Sequence, residues 1–262
     1  MAVTGLALIR KSTRSIARLW LLALMLVVWQ LISQSSSTIS LQLPPPTEIF
    51  SAANELIQKD TLQKDIVASL SRVFKAIGAA LVIAVPLGCL LGASKPFAWS
   101  FEPIVNFFRP IPPLAWIPLS ILWFGITNLQ NQFIIFLGAV FPILISTMEG
   151  VRDVDQQYIR AAKTLGASRL SIALTVIFPA ALPQIFIGLR VGTGIAWMAL
   201  VAGELVAATS GLGYLINQGR YLFRSDYVIV GMVTIGLIGL LLDILIRAVQ
   251  SITLPWWRLG NR

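Results

Sequence analysis

The chain has 262 residues, of which 56% are apolar and only 12% charged, with a mean hydropathy of +0.82. A soluble domain carries roughly 25% charged residues, so this composition excludes an ordinary water-soluble protein and predicts an all-α bundle of about six transmembrane helices. The formal net charge is +9. The cations lie between apolar runs, so we interpret them as residues that orient the chain in a membrane and not as a nucleic-acid binding surface.

The N-terminal part is predicted to contain a basic arm, a first span and a surface helix. Residues 1–18 form the arm, which is expected in the cytosol, and residues 19–32 form the first apolar run. This run is either a retained membrane helix, which the abundant apolar sequence after it favours, or a signal peptide. Prolines 44–46 stop any helix, and residues 44–65 then predict an amphipathic segment along the periplasmic membrane surface.

Residues 66–252 are predicted to form the membrane core. Five spans are expected in it, at residues 66–93, 112–126, 133–148, 181–208 and 228–252, followed by a cytosolic tail at 253–262. With the N-terminus inside, thirteen lysines and arginines fall inside and six outside, Arg72 among the latter. This bias places both termini and the polar loop 152–178 in the cytosol. Gly88 and Gly92 have the spacing of a close helix contact.

Several chemistries are excluded by what the sequence lacks. The chain has no histidine, which removes imidazole as a metal ligand or catalytic base, and we predict neither a catalytic residue nor a metal site. No Gly-rich phosphate loop ending in Gly-Lys-Ser/Thr occurs, so this chain alone is not expected to hydrolyse ATP. The single cysteine, Cys89, is interpreted as a buried hydrophobic side chain.

The loop between the fourth and fifth spans carries the main functional signal. Ala161 and Ala162 give a short helix a smooth face, Gly166 can end that helix in a left-handed conformation, and Pro179 suits the first turn of the next span. Taken alone, these residues fit two interpretations equally well. One is a docking site for another protein, and the other is a helical loop held at the membrane surface by its basic residues.

This loop resembles the cytosolic loop of ABC importer permeases, whose pattern is Glu-Ala-Ala, three residues, Gly, nine residues and Ile-x-Leu-Pro. Ala161, Ala162, Gly166 and Pro179 match at that spacing, and Arg160 stands in the place of the Glu. Other segments resemble the taurine, aliphatic sulfonate and nitrate branch of that family, and most of all its taurine permeases. These segments are RPIPPLAWIP (109–118), LWFGI (122–126), FPAALP (178–183), GLR (188–190), LVAGEL (200–205) and GLGY (211–214).

The resemblance implies a type I importer permease fold in a bacterial inner membrane. It implies a homodimer of this chain, two ATPase subunits that bind the ATP and Mg²⁺, and a solute-binding protein, with no cofactor in this chain itself. The expected substrate is a small anion such as taurine or an alkanesulfonate; the same architecture also suits nitrate, bicarbonate or another small solute. Coupling to the ATPase is assigned to Arg160, Ala161, Ala162, Lys163, Leu165, Gly166 and Pro179.

Arg190 and Glu204 are candidates for the substrate path, because charges inside a span are costly. Their spacing puts them within about 40° of each other around a helix, so one wet face could carry both. Arg190 either binds an anion or, in the interpretation we favour, braces the bundle by bonding to carbonyls or lies near the cytosolic interface. Glu204 would repel an anion and suits a structural partner or a gate. Trp116 and Trp197 either line a cavity or, more commonly for such residues, pack.

Two other functional classes fit less well. A transporter driven by an ion gradient predicts inverted repeats with broken helices in both halves, and the sequence shows no such repeat. A membrane enzyme would need a polar catalytic cluster near the interface, and none is visible in the predicted spans.

Overall fold

A computed structural model of the chain describes residues 20–21, 23–36, 40 and 42–255. The predicted basic arm, 1–18, lies outside the described residues, as do residues 19 and 22 of the predicted first span and 256–262 of the predicted tail. Every regular element in the described part is helical, which confirms the all-α fold class.

The helices follow one another through short connections. They are α1 Ala23–Gln34, α2 Pro46–Gln58, α3 Thr61–Ala93, α4 Lys95–Phe108, α5 Ile117–Phe124, α6 Asn128–Arg152, α7 Gln156–Thr164, α8 Arg169–Ala207, α9 Leu212–Tyr221 and α10 Ser225–Thr253. A 3₁₀ turn at Pro113–Trp116 precedes α5. A π-helical turn at Ala173–Ile177 lies inside α8.

Four predicted spans are confirmed as helices long and apolar enough to cross a membrane, namely α3, α6, α8 and α10. The fifth span begins earlier than predicted, because α8 already starts at Arg169. Pro179 follows the π turn and lies in the first turn of the α-helical segment Phe178–Ala207, the position predicted for it. Proline lacks an N–H and crowds the carbonyl four residues back. The π turn accommodates that defect by pairing Phe178 N–H with the Ala173 carbonyl, five residues back.

The predicted third span, 112–126, is helical over residues 113–124, but the prediction is wrong in making it a complete span. The structure has two helical segments here, Lys95–Phe108 and Pro113–Phe124, which are bent by 82° at the break. Prolines 110, 112 and 113 cause the break, because each removes a backbone donor and restricts the residue before it. The second segment alone, at roughly 20 Å, is too short for a hydrocarbon core of about 30 Å.

Close glycine contacts fix the relative direction of α3 and α6. A Cβ added at Gly88 would lie 2.7 Å from Thr147 Cβ, and one at Gly92 would lie 2.6 Å from Val151 Cβ. These contacts confirm the predicted close packing at Gly88 and Gly92. Because the residue numbers rise together along both helices, α3 and α6 run in the same direction. The chain must therefore return across the membrane between them, and the bent α4–α5 pair supplies that return.

Helices α6 and α8 are antiparallel. A Cβ at Gly188 would lie 2.6 Å from Ser146 Cβ, and one at Gly203 would lie 2.7 Å from Asn131 Oδ1, so the numbers fall on one helix as they rise on the other. The described part of α1 is apolar but shorter than a complete crossing. It leaves both interpretations of the first span open.

The chain divides into two compact units, Met1–Leu62 with Leu215–Met232, and Gln63–Tyr214 with Val233–Arg262. In the first unit, the predicted amphipathic segment is helical over residues 46–58, and Leu56 is buried. Arg224 binds Glu55 at 3.0 Å and Asp226 at 2.7 Å. Hydrogen bonds from Lys59, Tyr227 and Arg224 lower the pKa of Glu55 to about 2, so this carboxylate is ionised at neutral pH.

Replacing Gly88 by isoleucine is expected to lower the free energy of unfolding by about 1–3 kcal/mol, because the new side chain overlaps α6. Gly78→Ile is the matched control, since it adds the same side chain to the same helix where nothing lies within 4 Å. The measurement is the unfolding midpoint of the detergent-solubilised protein. Equal losses in both variants would contradict the close packing of α3 on α6.

Candidate functional site

The helix α7 is a self-capped projection between α6 and α8. At its start, the Asp155 carboxylate accepts a hydrogen bond of 2.9 Å from Gln157 N–H. At its end, Gly166 adopts φ +80°, which confirms the predicted left-handed conformation. Gly166 N–H bonds to Lys163 O, and Ala167 N–H bonds to Ala162 O, both at 3.0 Å. This pair of bonds is a Schellman cap, which fixes where α7 ends.

Apolar residues are exposed at α7 and directly after it. Leu165 is 87% exposed, and Tyr158 and Leu170 are also exposed. Ala161 is exposed as well, and a Cβ at Gly166 would meet nothing within 4 Å. Basic and polar side chains, among them Arg160, are exposed beside these apolar residues.

A buried ion pair joins α3 to the far end of α8. Arg72 Nη1 donates to Glu204 Oε1 at 2.6 Å and to the Ser210 carbonyl at 2.7 Å, and Arg72 Nε donates to Asn128 Oδ1 at 2.9 Å. Arg72 is 4% exposed and Glu204 is 1% exposed. Two charges in so buried a place are tolerated because they neutralise each other and their remaining polar atoms are bonded.

The other bonds of this Arg72–Glu204 cluster pair with backbone N–H groups just after the end of α8. Ser69 Oγ lies 2.9 Å from both Glu204 oxygens, and Gly213 N–H donates to Oε2 at 2.9 Å. Gly213 has no room for a side chain, since a Cβ there would lie 2.6 Å from Glu204 Cβ. Asp65 Oδ1 accepts from Gly211 N–H at 2.7 Å. The cluster thus fastens the segment between α8 and α9 to α3.

One sequence-based expectation about charged residues is wrong, and another residue is more buried than the sequence indicates. Arg72, one of the cations assigned to the outside, is buried in an ion pair. Glu204 does not share a water-exposed face with Arg190. Where Glu204 lies on α8, that side of the helix packs against α3 and the 210–213 segment instead of facing water. A signal was present in the sequence: Asp65, Ser69 and Arg72 follow the i, i+4, i+7 spacing of one helix face.

Arg190 lies in a second, more open charged group. Its Nε bonds to Asp243 Oδ1 at 2.5 Å, and the other Asp243 oxygen binds Arg247 at 2.7 Å. Asp243 thus pairs with Arg247 one helical turn away, and Arg190 bonds to a carboxylate and not to carbonyls. Arg190 and Asp243 line a cavity of about 540 Å³ with Met198. The Arg190 side chain is 46% exposed, and the group carries a net charge of +1.

The two candidate tryptophans lie in packed surroundings. Trp197 is 7% exposed and donates from Nε1 to the Ile235 carbonyl at 3.1 Å, between α8 and α10. Trp116 lies in an aromatic group, with ring centroids 6.0 Å from Phe108 and 6.5 Å from Trp123. These contacts account for both side chains through packing.

Comparison with known proteins supports one interpretation of this architecture. Residues 84–258 match the family described as binding-protein-dependent transport system inner membrane component. The chain is 38% identical to the taurine transport system permease protein TauC of Escherichia coli (strain K12), over 90% of this chain and 87% of TauC. It is 33% identical to the nitrate import permease protein NrtB of Synechocystis sp. (strain ATCC 27184 / PCC 6803 / Kazusa), over 89% of this chain and 87% of NrtB.

The fold also matches a solved structure. An inward-facing crystal form of the MetNI methionine ABC transporter superposes with a TM-score of 0.60 at 22% identity, covering 73% of this chain and 97% of the matched chain. At this identity the match concerns the fold alone.

Removing either partner of the buried ion pair, by Arg72→Met or Glu204→Met, is expected to lower the free energy of unfolding by about 3–5 kcal/mol, because the other charge is left buried alone. The double variant should cost less than the sum of the two. Unfolding of the solubilised protein measures both effects. Lys75→Met, at an exposed position of α3, is the control. Additive losses would contradict a coupled pair.

Proposed function

The chain belongs to the binding-protein-dependent transport system inner membrane component family and is an ABC transporter permease; from that membership we propose that α7 is the site where an ATPase subunit docks and that the chain imports a small organic or inorganic anion. The bent α4–α5 pair and the helices α3, α6, α8 and α10 form the membrane part. The proposed complex contains two copies of this chain, two ATPases that bind ATP and Mg²⁺, and a solute-binding protein.

The single observation that carries the docking site is the shape of α7. Both ends of the helix are capped by its own residues, so α7 needs no further contact to be formed. Leu165 is nevertheless left exposed at its end. A formed helix with uncovered apolar residues fits insertion into a groove of another protein. The proposed contact residues are Arg160, Ala161, Ala162, Lys163, Leu165 and Gly166, with Pro179 behind them.

The proposed orientation puts α7 in the cytosol, where an ATPase can reach it. The helix directions agree with alternating spans, since α3 and α6 are parallel and α8 is antiparallel to α6; the side is assigned by the cations. The excess of lysine and arginine on the same side as α7 supports the same orientation. Both termini are then cytosolic.

The proposed substrate is an anion of the size of taurine or an alkanesulfonate. Support comes from the taurine permease among the relatives, and from the net positive group that Arg190 forms beside its cavity. A guanidinium presents a fork of donors that matches sulfonate, nitrate or bicarbonate oxygens. Asp243 engages Arg190 through Nε, and we assign the terminal nitrogens of Arg190 to the anion.

Gly166→Val is expected to weaken capture of the ATPase subunit by roughly 5- to 150-fold, because a β-branched residue at φ +80° costs about 1–3 kcal/mol and distorts the end of α7. The measurement is co-purification of the tagged permease with the ATPase. Gly236→Val is the control, since this helical glycine of α10 has nothing within 4 Å. Unchanged capture by the Gly166 variant would count against docking at α7.

Ala161→Glu and Ala162→Glu test the same contact from the helix face. Each adds a long, charged side chain where the proposed partner approaches closely, without altering the end of the helix. Both are expected to reduce ATPase capture and ATP-dependent uptake while leaving the unfolding midpoint unchanged. Normal capture by the double variant would overturn the assignment.

Arg190→Gln is expected to raise the KM for taurine uptake by roughly 10-fold or more, since a hydrogen bond to a charged group contributes about 1.5–3 kcal/mol. Uptake is measured in vesicles with the ATPase and binding protein present, with nitrate and bicarbonate as competitors. The exchange Arg190→Asp with Asp243→Arg separates the two roles of Arg190. If the exchanged pair restores uptake, Arg190 only braces α8 against α10.

A further inference from the structure

A basic cavity of about 740 Å³ lies behind α7. It is open to one side and bordered by the ends of α3 and α6, the start of α4, one face of α7 and the first turns of α8. Four cations from four separate segments line it: Lys95, Arg152, Lys163 and Arg169. No acidic residue is among the residues that line it in the described part of the chain. All four are exposed to solvent at its rim, and a concave surface lined by charges of one sign attracts ligands of the opposite sign.

Only one of the four cations has a carboxylate partner among the described residues. Arg152 binds Glu102, whereas Lys95, Lys163 and Arg169 form no ion pair within residues 42–255. The cavity therefore keeps an excess of three positive charges. An anion with several acceptor oxygens, such as a phosphate group, could bind more than one of these cations at a time.

The remaining wall of the cavity is apolar. Leu91, Val151, Ile159, Ile172 and Ile177 line it together with the cations. A free inorganic anion leaves such a wall without a partner, whereas a molecule with a charged head and a hydrocarbon body covers both surfaces. Basic pockets between helices at the cytosolic side of a membrane have the composition that binds acidic lipid headgroups.

We propose that this cavity binds the headgroup of an acidic phospholipid, with its phosphate oxygens on Lys95 and Arg169 and its glycerol and first acyl carbons on the apolar wall. Ile159 and Lys163 belong to α7, so the bound lipid also supports α7 from behind. The inference rests on the proposed function in one respect, the cytosolic position of α7. It makes acidic lipid a partner of the docking site itself.

Lipid binding to the full-length permease in detergent tests the proposal, with phosphatidylglycerol as the acidic probe and phosphatidylcholine as the neutral one. Lys95→Gln with Arg169→Gln is expected to weaken phosphatidylglycerol binding roughly 30-fold, at about five-fold per cation. Lys64→Gln with Lys75→Gln is the matched control. It removes the same charge from exposed positions of α3 outside the cavity and should leave binding unchanged.

Three results would overturn the proposal: equal binding of the two lipids by the wild type, equal binding of phosphatidylglycerol by the wild type and the cavity variant, or equal loss in the control. A separate arm adds inorganic phosphate in excess. If phosphate alone raises the unfolding midpoint as much as the lipid and displaces it, the cavity takes a free anion, and the lipid proposal is wrong.

The same preparations distinguish this inference from the docking assignment. The cavity variant changes no residue of α7, so its ATPase capture is measured beside its lipid binding. Normal lipid binding with failed capture by Gly166→Val leaves both proposals standing. If the wild type captures the ATPase normally but binds phosphatidylglycerol and phosphatidylcholine equally, the lipid site alone is wrong. Normal capture by all the α7 variants overturns docking alone.

Discussion

Helices α6 and α8 approach each other so closely that glycine occupies contact positions on both of them, Gly138 and Gly150 on α6 and Gly188, Gly192 and Gly203 on α8. A Cβ at Gly138 would lie 3.1 Å from the Ala196 Cα, so the two backbones are in direct contact. Because lipid tails are as apolar as leucine, the hydrophobic effect does not drive two membrane helices together. Close packing of their backbones stabilises the pair instead. Because α7 is the connection between these two helices, a protein bound to α7 acts on both of them together.

The polar contacts along α8 differ between its two ends, and the two ends therefore suit different functions. At the Glu204 end, a carboxylate accepts from Arg72, Ser69 and Gly213, which leaves neither oxygen unbonded. At the α7 end, the helix instead contains a π turn and borders a cavity with unpaired cations. Arg190 lies between them, about 21 Å from Glu204 along the helix. The closed cluster suits a fixed anchor, and the open groups suit ligands.

The sequence predicts the helical fold, four of the spans and the Gly166 cap, because each follows from a local rule: apolar runs of sufficient length, or glycine at the end of a short helix. It misses α4, the first half of the bent pair, because prolines divide one apolar region into two helices and only the second is recognised as a span. It also does not predict the burial of Arg72, because the positive-inside rule counts cations without regard to partners. The partner of Arg72 is Glu204, which is distant in sequence, and no local rule pairs residues across such a distance.

Arg72 and Arg190 show that a charged residue inside a span can have either of two roles, a structural one or a ligand-binding one. Arg72 donates to a carboxylate, a carbonyl and an amide, and these bonds use all three of its nitrogens when Ser210 Oγ is included. A ligand that reached it would have to displace bonds already made. Arg190 is bonded through Nε, and its side chain remains accessible from a cavity. An anion therefore gains new bonds only at Arg190, and of the two arginines this one fits the transport path.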